Sequence, residues 1–232
     1  MADAGGVADA LFDLDGCLYP IGNGLEDYVR ERIVAFMVER LGVADAALAQ
    51  EIWRTAFRRY NQSLRGLRAC GYQFDADEYW RFIRGDTARF LTPCAQTCEL
   101  LRSLNAAGVR CWVFTNCRER EAHEALVALG LDASLFRGVL GADFQGGVCK
   151  PEPAAFARVL QHTGCDPRRT VFFEDSLKNL VTAKALGMHT VLIGGATAAE
   201  EGGALAGVVD AQVPLCGLDA VRAALPQLWP QQ

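Results

Sequence analysis

Apolar residues along this chain follow two rhythms. Short, mostly apolar runs occur at Val7–Phe12, Val109–Phe114, Gly138–Gly141, Thr170–Phe173 and Thr190–Ile193, with Gly207–Val213 as a sixth. They do not alternate with polar residues, so they predict strands covered by helices on both faces. Between the later runs, Arg118–Leu129, Glu152–His162 and Leu177–Leu186 have helical spacing. Gly130 and Gly187 follow the first and last of these, where a left-handed cap would end a helix. Strand and helix alternate, which predicts a doubly wound parallel α/β sheet with right-handed crossovers.

The span between the first two runs differs. Residues 24–91 carry three helical patterns and no strand. Val29, Ile33, Phe36, Met37 and Leu41 share one face, as do Leu48, Ile52, Ala56 and Tyr60. Asp75 and Glu78 form a capping-box pattern ahead of Tyr79, Phe82 and Ile83. The pattern predicts an all-helical insertion after the first strand, over 20–91, with 1–19 and 92–232 forming the α/β core. Leu18–Gly24 and Leu91–Pro93 are the expected connections. Thr92 and Pro93 are the expected cap and first turn of the helix that returns to the core.

Composition narrows the function classes. With 28 acidic against 23 basic residues, the chain lacks the basic footprint of a nucleic-acid binder. No apolar run approaches the roughly 18 residues of a membrane span. The first ten residues, MADAGGVADA, have neither a basic region nor an apolar signal core. Nine cysteines form no CxxC pair, which points to reduced cytoplasmic thiols packed as small hydrophobes. His123, His162 and His189 show no metal-ligand spacing.

The polar residues at the ends of the runs carry the candidate chemistry. Asp13 and Asp15 follow the first, Thr115 and Asn116 the second, Lys150 a loop after the third, and Glu174 and Asp175 the fourth. In open α/β sheets, sites form outside the strands' C-terminal ends at the switch in strand order. Several carboxylates make an oxygen-rich site suited to Mg²⁺. A hydroxyl, backbone N–H groups and one lysine suit a phosphate. The plainer readings are helix caps for the Asp, Thr-Asn and Glu-Asp groups and an exposed loop position for Lys150. Asn179 is either a loop-holding hydrogen bonder or a solvated helix residue.

FDLDGC, FTNC, VCKPEP and FFEDS, in this order and spacing, resemble the four motifs of the haloacid dehalogenase-like hydrolase superfamily. The helical insertion resembles the cap that many members carry between the first two motifs. This likeness implies a Rossmann-like core with an all-helical cap. LFDLDGCLYP, the segment YNQSLRGLRACGYQFDADEYW and VCKPEPAAF are similar to the pyrimidine 5′-nucleotidase subfamily. That subfamily has Tyr-Gly-x-x-x-x-Gly-Leu where this chain runs from Tyr60 to Leu67, with Asn61 in place of the first glycine. The fourth motif departs from the common Asp-Asp-Ser, reading Glu174-Asp175-Ser176.

The resemblance implies a role for each residue. Asp13 is the expected nucleophile, forming an aspartyl-phosphate, and Asp15 the general acid and base. True dehalogenases of the superfamily lack that second carboxylate. Thr115 and the Asn116 N–H are expected on a phosphoryl oxygen, and Lys150 between the phosphate and Asp13. Mg²⁺ would be held by Asp13, the Asp15 backbone carbonyl and Asp175, with Glu174 acting through water. Tyr60 and Arg65 are expected near the leaving group, with Asn23 in the connecting loop. Arg68, Arg81 and Arg84 are read as solvated faces, and Trp53, Tyr79 and Trp80 as core.

The expected activity is a Mg²⁺-dependent phosphomonoesterase acting on a small phosphorylated metabolite, a pyrimidine nucleoside 5′-monophosphate first. The alternatives are purine monophosphates such as XMP or GMP, a sugar phosphate or phosphoglycolate, a phosphomutase and, last, an inactive binding protein. The expected assembly is a monomer or homodimer, without nucleic acid or membrane.

Overall fold

The computed structural model describes residues 6–194 and 207–229. In chain order the strands are β1 (Asp9–Phe12), β2 (Arg110–Phe114), β3 (Val139–Leu140), β4 (Thr170–Glu174), β5 (His189–Ile193) and β6 (Ala211–Val213). The helices are α1 (Leu25–Leu41), α2 (Ala46–Tyr60), α3 (Ser63–Ala69), α4 (Ala76–Arg84), α5 (Ala95–Ala106), α6 (Glu119–Ala128), α7 (Ala142–Gln145), α8 (Pro153–Thr163), α9 (Leu177–Ala185) and α10 (Leu218–Ala224). The chain divides into two compact units, Met1–Ile21 with Thr92–Gln232, and Gly22–Leu91.

The first unit is a six-stranded parallel sheet ordered β3-β2-β1-β4-β5-β6. The apolar runs predict these strands, with ends shifted by a few residues. β1 begins two residues later than Val7, and β6 keeps only the last three residues of its run. From β1 the chain winds outward through β2 and β3, then crosses back to β4 on the other side of β1. The order therefore switches between β1 and β4, and a crevice is expected outside their C-terminal ends.

All four β1 residues are buried, as befits the centre of a sheet covered on both faces. On one face Leu11, Phe114 and Phe172 pack with Phe156 and Val159 of α8 and Leu180 and Ala183 of α9. Phe12 and Phe173 point to the other face and stack with ring centroids 4.6 Å apart. Gly130 and Gly187 take left-handed angles (φ 68° and 91°) after α6 and α9, as their positions predict. Thr92 and Pro93 do not open α5. That helix starts at Ala95 with Cys94 at its cap position, so Thr92-Pro93 remains in the preceding loop.

The second unit is all-helical, with four α-helices rather than three. The extra one, α3, spans seven residues, too short to display a periodic face. It packs on α2 through Gly66, where an added Cβ would lie 2.9 Å from the Ala56 Cβ. Trp53 Nε1 donates to Ser63 Oγ at 2.9 Å, tying the same two helices together. Asp45 and Asp75 cap α2 and α4 by accepting from the N–H groups of Leu48 and Glu78. Phe36 sits edge-on to Phe74, Tyr79 and Phe82. Trp53, Tyr79 and Trp80 are buried, in line with their reading as core, but Arg84 is buried too and does not lie on a solvated face.

No described helix is long and apolar enough to cross a membrane. Six of the nine cysteines are buried free thiols. Cys94 and Cys98 are half-buried and Cys70 is exposed, so the small-hydrophobe reading does not extend to these three.

Candidate active site

The β1 ladder continues one residue past the strand, with Asp13 N–H donating to the Phe173 carbonyl at 2.9 Å. This fixes the Asp13 Cα beside the end of β4. The chain then turns sharply, as the Cys17 and Leu18 N–H groups donate to the Leu14 carbonyl. Gly16 sits in this turn at φ 81°, and a Cβ there would lie 2.6 Å from Asp175 Oδ2. Two independent constraints thus require glycine, a left-handed backbone and the approach of Asp175. The Cys17 thiol donates to the Phe173 carbonyl at 3.4 Å and so braces the loop.

Lys150 is the centre of the constellation. Its Nζ lies 2.8 Å from Asp13 Oδ1 and 2.8 Å from Glu174 Oε2, and its side chain is 1% exposed. The rings of Phe114 and Phe172 flank the ammonium, with centroids 5.2 and 5.3 Å away. Lys150 is therefore not an exposed loop residue. Burial works against its charge, but Asp13 and Glu174 outweigh it and hold the ammonium protonated.

Glu174 is fully buried. Its Oε2 accepts from Lys150 and from Asn179 Nδ2 at 2.9 Å, and its Oε1 accepts from the Ser176 N–H at 3.0 Å. Burial pushes its carboxyl up, but the Lys150 charge and hydrogen bonds from Asp175, Lys150 and the Ser176 N–H bring it below the ordinary value. Asn179 is buried and holds Glu174, which rules out its solvated reading. The cap position of α9 belongs to Ser176, so neither Glu174 nor Asp175 is that helix's N-cap.

Asp13, Glu174 and Asp175 each present an oxygen, all within 4.8 Å of one another. Three carboxylates thus face one ammonium. The imbalance falls on two of them. Burial, then Glu174, pushes Asp13 well above the carboxylate range against the pull of Lys150. Burial, then Glu174 and Asp13, pushes Asp175 up to about 9. A hard divalent cation would supply the missing positive charge, and oxygen is the donor Mg²⁺ prefers, so the residues fit that ion. Asp13 and Asp175 are placed to ligate it. Glu174, its oxygens already engaged, is placed behind them.

The loops that carry Thr115 and Lys150 are built around each other. Asn116 Nδ2 donates to the Lys150 carbonyl at 3.0 Å, and Asn116 Oδ1 accepts from the Lys150 N–H at 2.9 Å. Thr115 is buried, and its Oγ1 accepts from the Cys117 N–H at 3.1 Å, a turn-capping contact. The fully buried Gln145 donates from Nε2 to the Thr115 carbonyl at 2.6 Å. Glu119 accepts from three N–H groups, those of Gly141, Asp143 and Phe144, at 2.8, 3.1 and 2.8 Å. It thereby anchors α7, whose far end is held by Arg158 Nη1 on the Gln145 carbonyl at 2.8 Å.

The structure therefore brings Asp13, Lys150, Glu174 and Asp175 together, with Asn116 gripping the lysine backbone. Tyr60 and Arg65 lie in the helical unit, where Arg65 Nη1 donates to the Tyr60 carbonyl at 3.4 Å. Asn23 also lies there, holding the Phe90 carbonyl and the Leu25 N–H. Gln145, Glu119 and the side-chain role of Asn116 are not foreseen from sequence. Their partners lie 22 to 34 residues away, beyond any local periodicity. Only Glu119 offers a cue, an acidic residue in the first turn of α6.

Residues 10–187 match the haloacid dehalogenase-like hydrolase family. A phosphoglycolate phosphatase of Pseudomonas putida is 33% identical over 128 residues, 55% of this chain and 44% of that protein. A sesquiterpene phosphatase of Aspergillus oryzae is 30% identical over 102 residues, 44% of this chain and 51% of that protein. The matched stretches thus span about half the length of these curated relatives or less. The structure of a HAD phosphatase from Thermococcus onnurineus superposes with a TM-score of 0.64 at 18% identity, covering 93% of this chain and 96% of that one, a likeness of fold.

Proposed function

We propose that this chain, which belongs to the haloacid dehalogenase-like hydrolase family, is a Mg²⁺-dependent phosphomonoesterase working through an aspartyl-phosphate. The observation that carries the reading is Lys150, a buried ammonium 2.8 Å from Asp13 beside the Glu174–Asp175 pair. An isolated structural ion pair needs one carboxylate for one ammonium. This cluster has a carboxylate surplus, gathered at the switch point where α/β sheets bind ligands.

Asp13 attacks phosphorus, so an Asp13 oxygen–phosphorus bond forms as the ester P–O bond breaks. Asp15 gives its proton to the departing oxygen. As a carboxylate it then takes a proton from the water that attacks the aspartyl-phosphate, releasing phosphate and restoring Asp13. Lys150 orients Asp13 and offsets the charge of the transferring group, with Thr115 and the Asn116 N–H as its hydrogen-bond donors. When bound, Mg²⁺ supplies charge neutralisation and alignment at the phosphoryl oxygens, held by Asp13, Asp175 and the Asp15 carbonyl.

The substrate is a small phosphorylated metabolite. The cap segment from Tyr60 to Leu67 favours a nucleoside 5′-monophosphate, whereas the Pseudomonas putida relative's name favours phosphoglycolate. Specificity constants for phosphate release from nucleoside monophosphates, sugar phosphates and phosphoglycolate separate the two. For the reaction itself, p-nitrophenyl phosphate should be hydrolysed with Mg²⁺ and not after chelation. Asp13→Asn should lose turnover while remaining folded; activity retained in that variant would rule out the nucleophile.

A further inference from the structure

Asp15 has a partner that the motif reading does not assign. The Tyr19 hydroxyl donates to Asp15 Oδ1. The contact is local in origin. The turn closed by Leu14 and Leu18, with Gly16 in the left-handed region, brings the residue four positions on back over the carboxylate. Tyr19 is 5% exposed, so its ring is held by packing and its hydroxyl is aimed. Both residues belong to the α/β unit.

On the reading of Asp15 as general acid and base, we infer that Tyr19 is its positioning residue, holding Oδ1 and with it the orientation of the whole carboxyl group. A carboxylic acid swings freely about its side-chain torsions, and proton transfer needs the donor within hydrogen-bond reach of the departing oxygen. A phenol on one oxygen restricts that freedom and holds the carboxyl group in one orientation. It stays on Asp15 through both half-reactions, because its proton is not transferred. Tyr19 needs no contact with the substrate.

Leaving-group dependence tests this without knowledge of the natural substrate. A series of substituted phenyl phosphates, from p-nitrophenyl phosphate to phenyl phosphate, increases the need for protonation of the departing oxygen. Tyr19→Phe deletes only the hydroxyl and leaves the buried ring. It should lower kcat/KM, which reports the steps up to departure of the leaving group, by about tenfold or more for phenyl phosphate but by under about threefold for p-nitrophenyl phosphate. Asp15→Asn should show a steeper dependence still. A Tyr19→Phe variant whose kcat/KM keeps the wild-type dependence, or falls equally for every ester, overturns the positioning role. If Asp15→Asn shows no added dependence, Asp15 is not the acid and the underlying reading fails with it. Failure of the wild-type protein to hydrolyse any ester of the series overturns the phosphatase reading itself.

Discussion

Lys150→Met is the sharpest perturbation of this structure, because one ammonium serves two buried carboxylates. Nζ lies 2.8 Å from both Asp13 and Glu174, and the three side chains are 1%, 10% and 0% exposed. Removing one partner of a buried pair typically costs about 3–5 kcal/mol, since the other charge is left unpaired. A second estimate bounds the first. The stranded carboxylate can escape by taking up a proton, which at pH 7 costs about 4 kcal/mol for a group of ordinary acidity. The two agree, so the expected loss is about 3–5 kcal/mol. For a chain of this length that is a fall in Tm of roughly 6–20 °C.

The pH dependence gives the argument its edge. In wild type Lys150 holds Glu174 below its ordinary value, whereas in the variant Glu174 becomes a buried carboxyl whose pKa is raised above its unfolded value. Its stability contribution is retained at acid pH and lost as pH rises. The deficit against wild type should therefore narrow on acidification, by roughly 1.4 kcal/mol per pH unit for each carboxyl that protonates. Denaturant titrations of both proteins at pH 5 and 7 measure this. Adding Glu174→Gln to the variant removes one stranded charge and should recover part of the loss. A deficit below about 1 kcal/mol, the same at both pH values, would refute the claim that Lys150 neutralises the site.

Three further outcomes follow from the same geometry. Mg²⁺ at a hundred times its Kd should stabilise the protein by about 2.7 kcal/mol in thermal melts, and Asp175→Asn should lack this response; an equal response in the variant would remove Asp175 from the ligand set. Gly16→Ala combines a left-handed backbone (φ 81°) with a Cβ 2.6 Å from Asp175 Oδ2, so both activity and the Mg²⁺ melting response should fall together; wild-type values for both would show that the loop has room to yield. Glu119→Gln halves the acceptors facing three N–H groups and should cost about 1–3 kcal/mol in denaturant melts, whereas a loss under about 0.5 kcal/mol would show that α7 holds without it.

The sheet is readable from the sequence because buried parallel strands leave short apolar runs, and β1, β2, β4 and β5 carry such runs with polar residues only at their ends. α3 is not readable, since seven residues hold less than two full turns of periodicity. The start of α5 is misread for a different reason. Thr-Pro is a good opening for a helix, but propensity yields to the loop that carries the chain back into the sheet.

At the site, the legible residues are those the topology itself gathers. Asp13 ends β1 and Glu174 ends β4, and the two strands are neighbours in the sheet, so their meeting follows from strand order alone. Lys150 is harder, because it sits on a loop after β3, the strand at the far edge of that half of the sheet. What brings it in is a set of contacts no periodicity encodes: Glu119 holding α7, Gln145 on the Thr115 carbonyl, and Asn116 gripping the Lys150 backbone through both side-chain atoms. Asn116 shows the difference well. The motif assigns its N–H to a phosphoryl oxygen, while the structure gives its side chain the task of setting the lysine loop. An Asn116→Ala change should therefore act through Lys150, lowering kcat with a loss of stability that Asn116→Asp, which keeps only the acceptor for the Lys150 N–H, partly restores. Equal stability for the alanine variant and wild type, by denaturant titration, would mean that the loop is held without this grip.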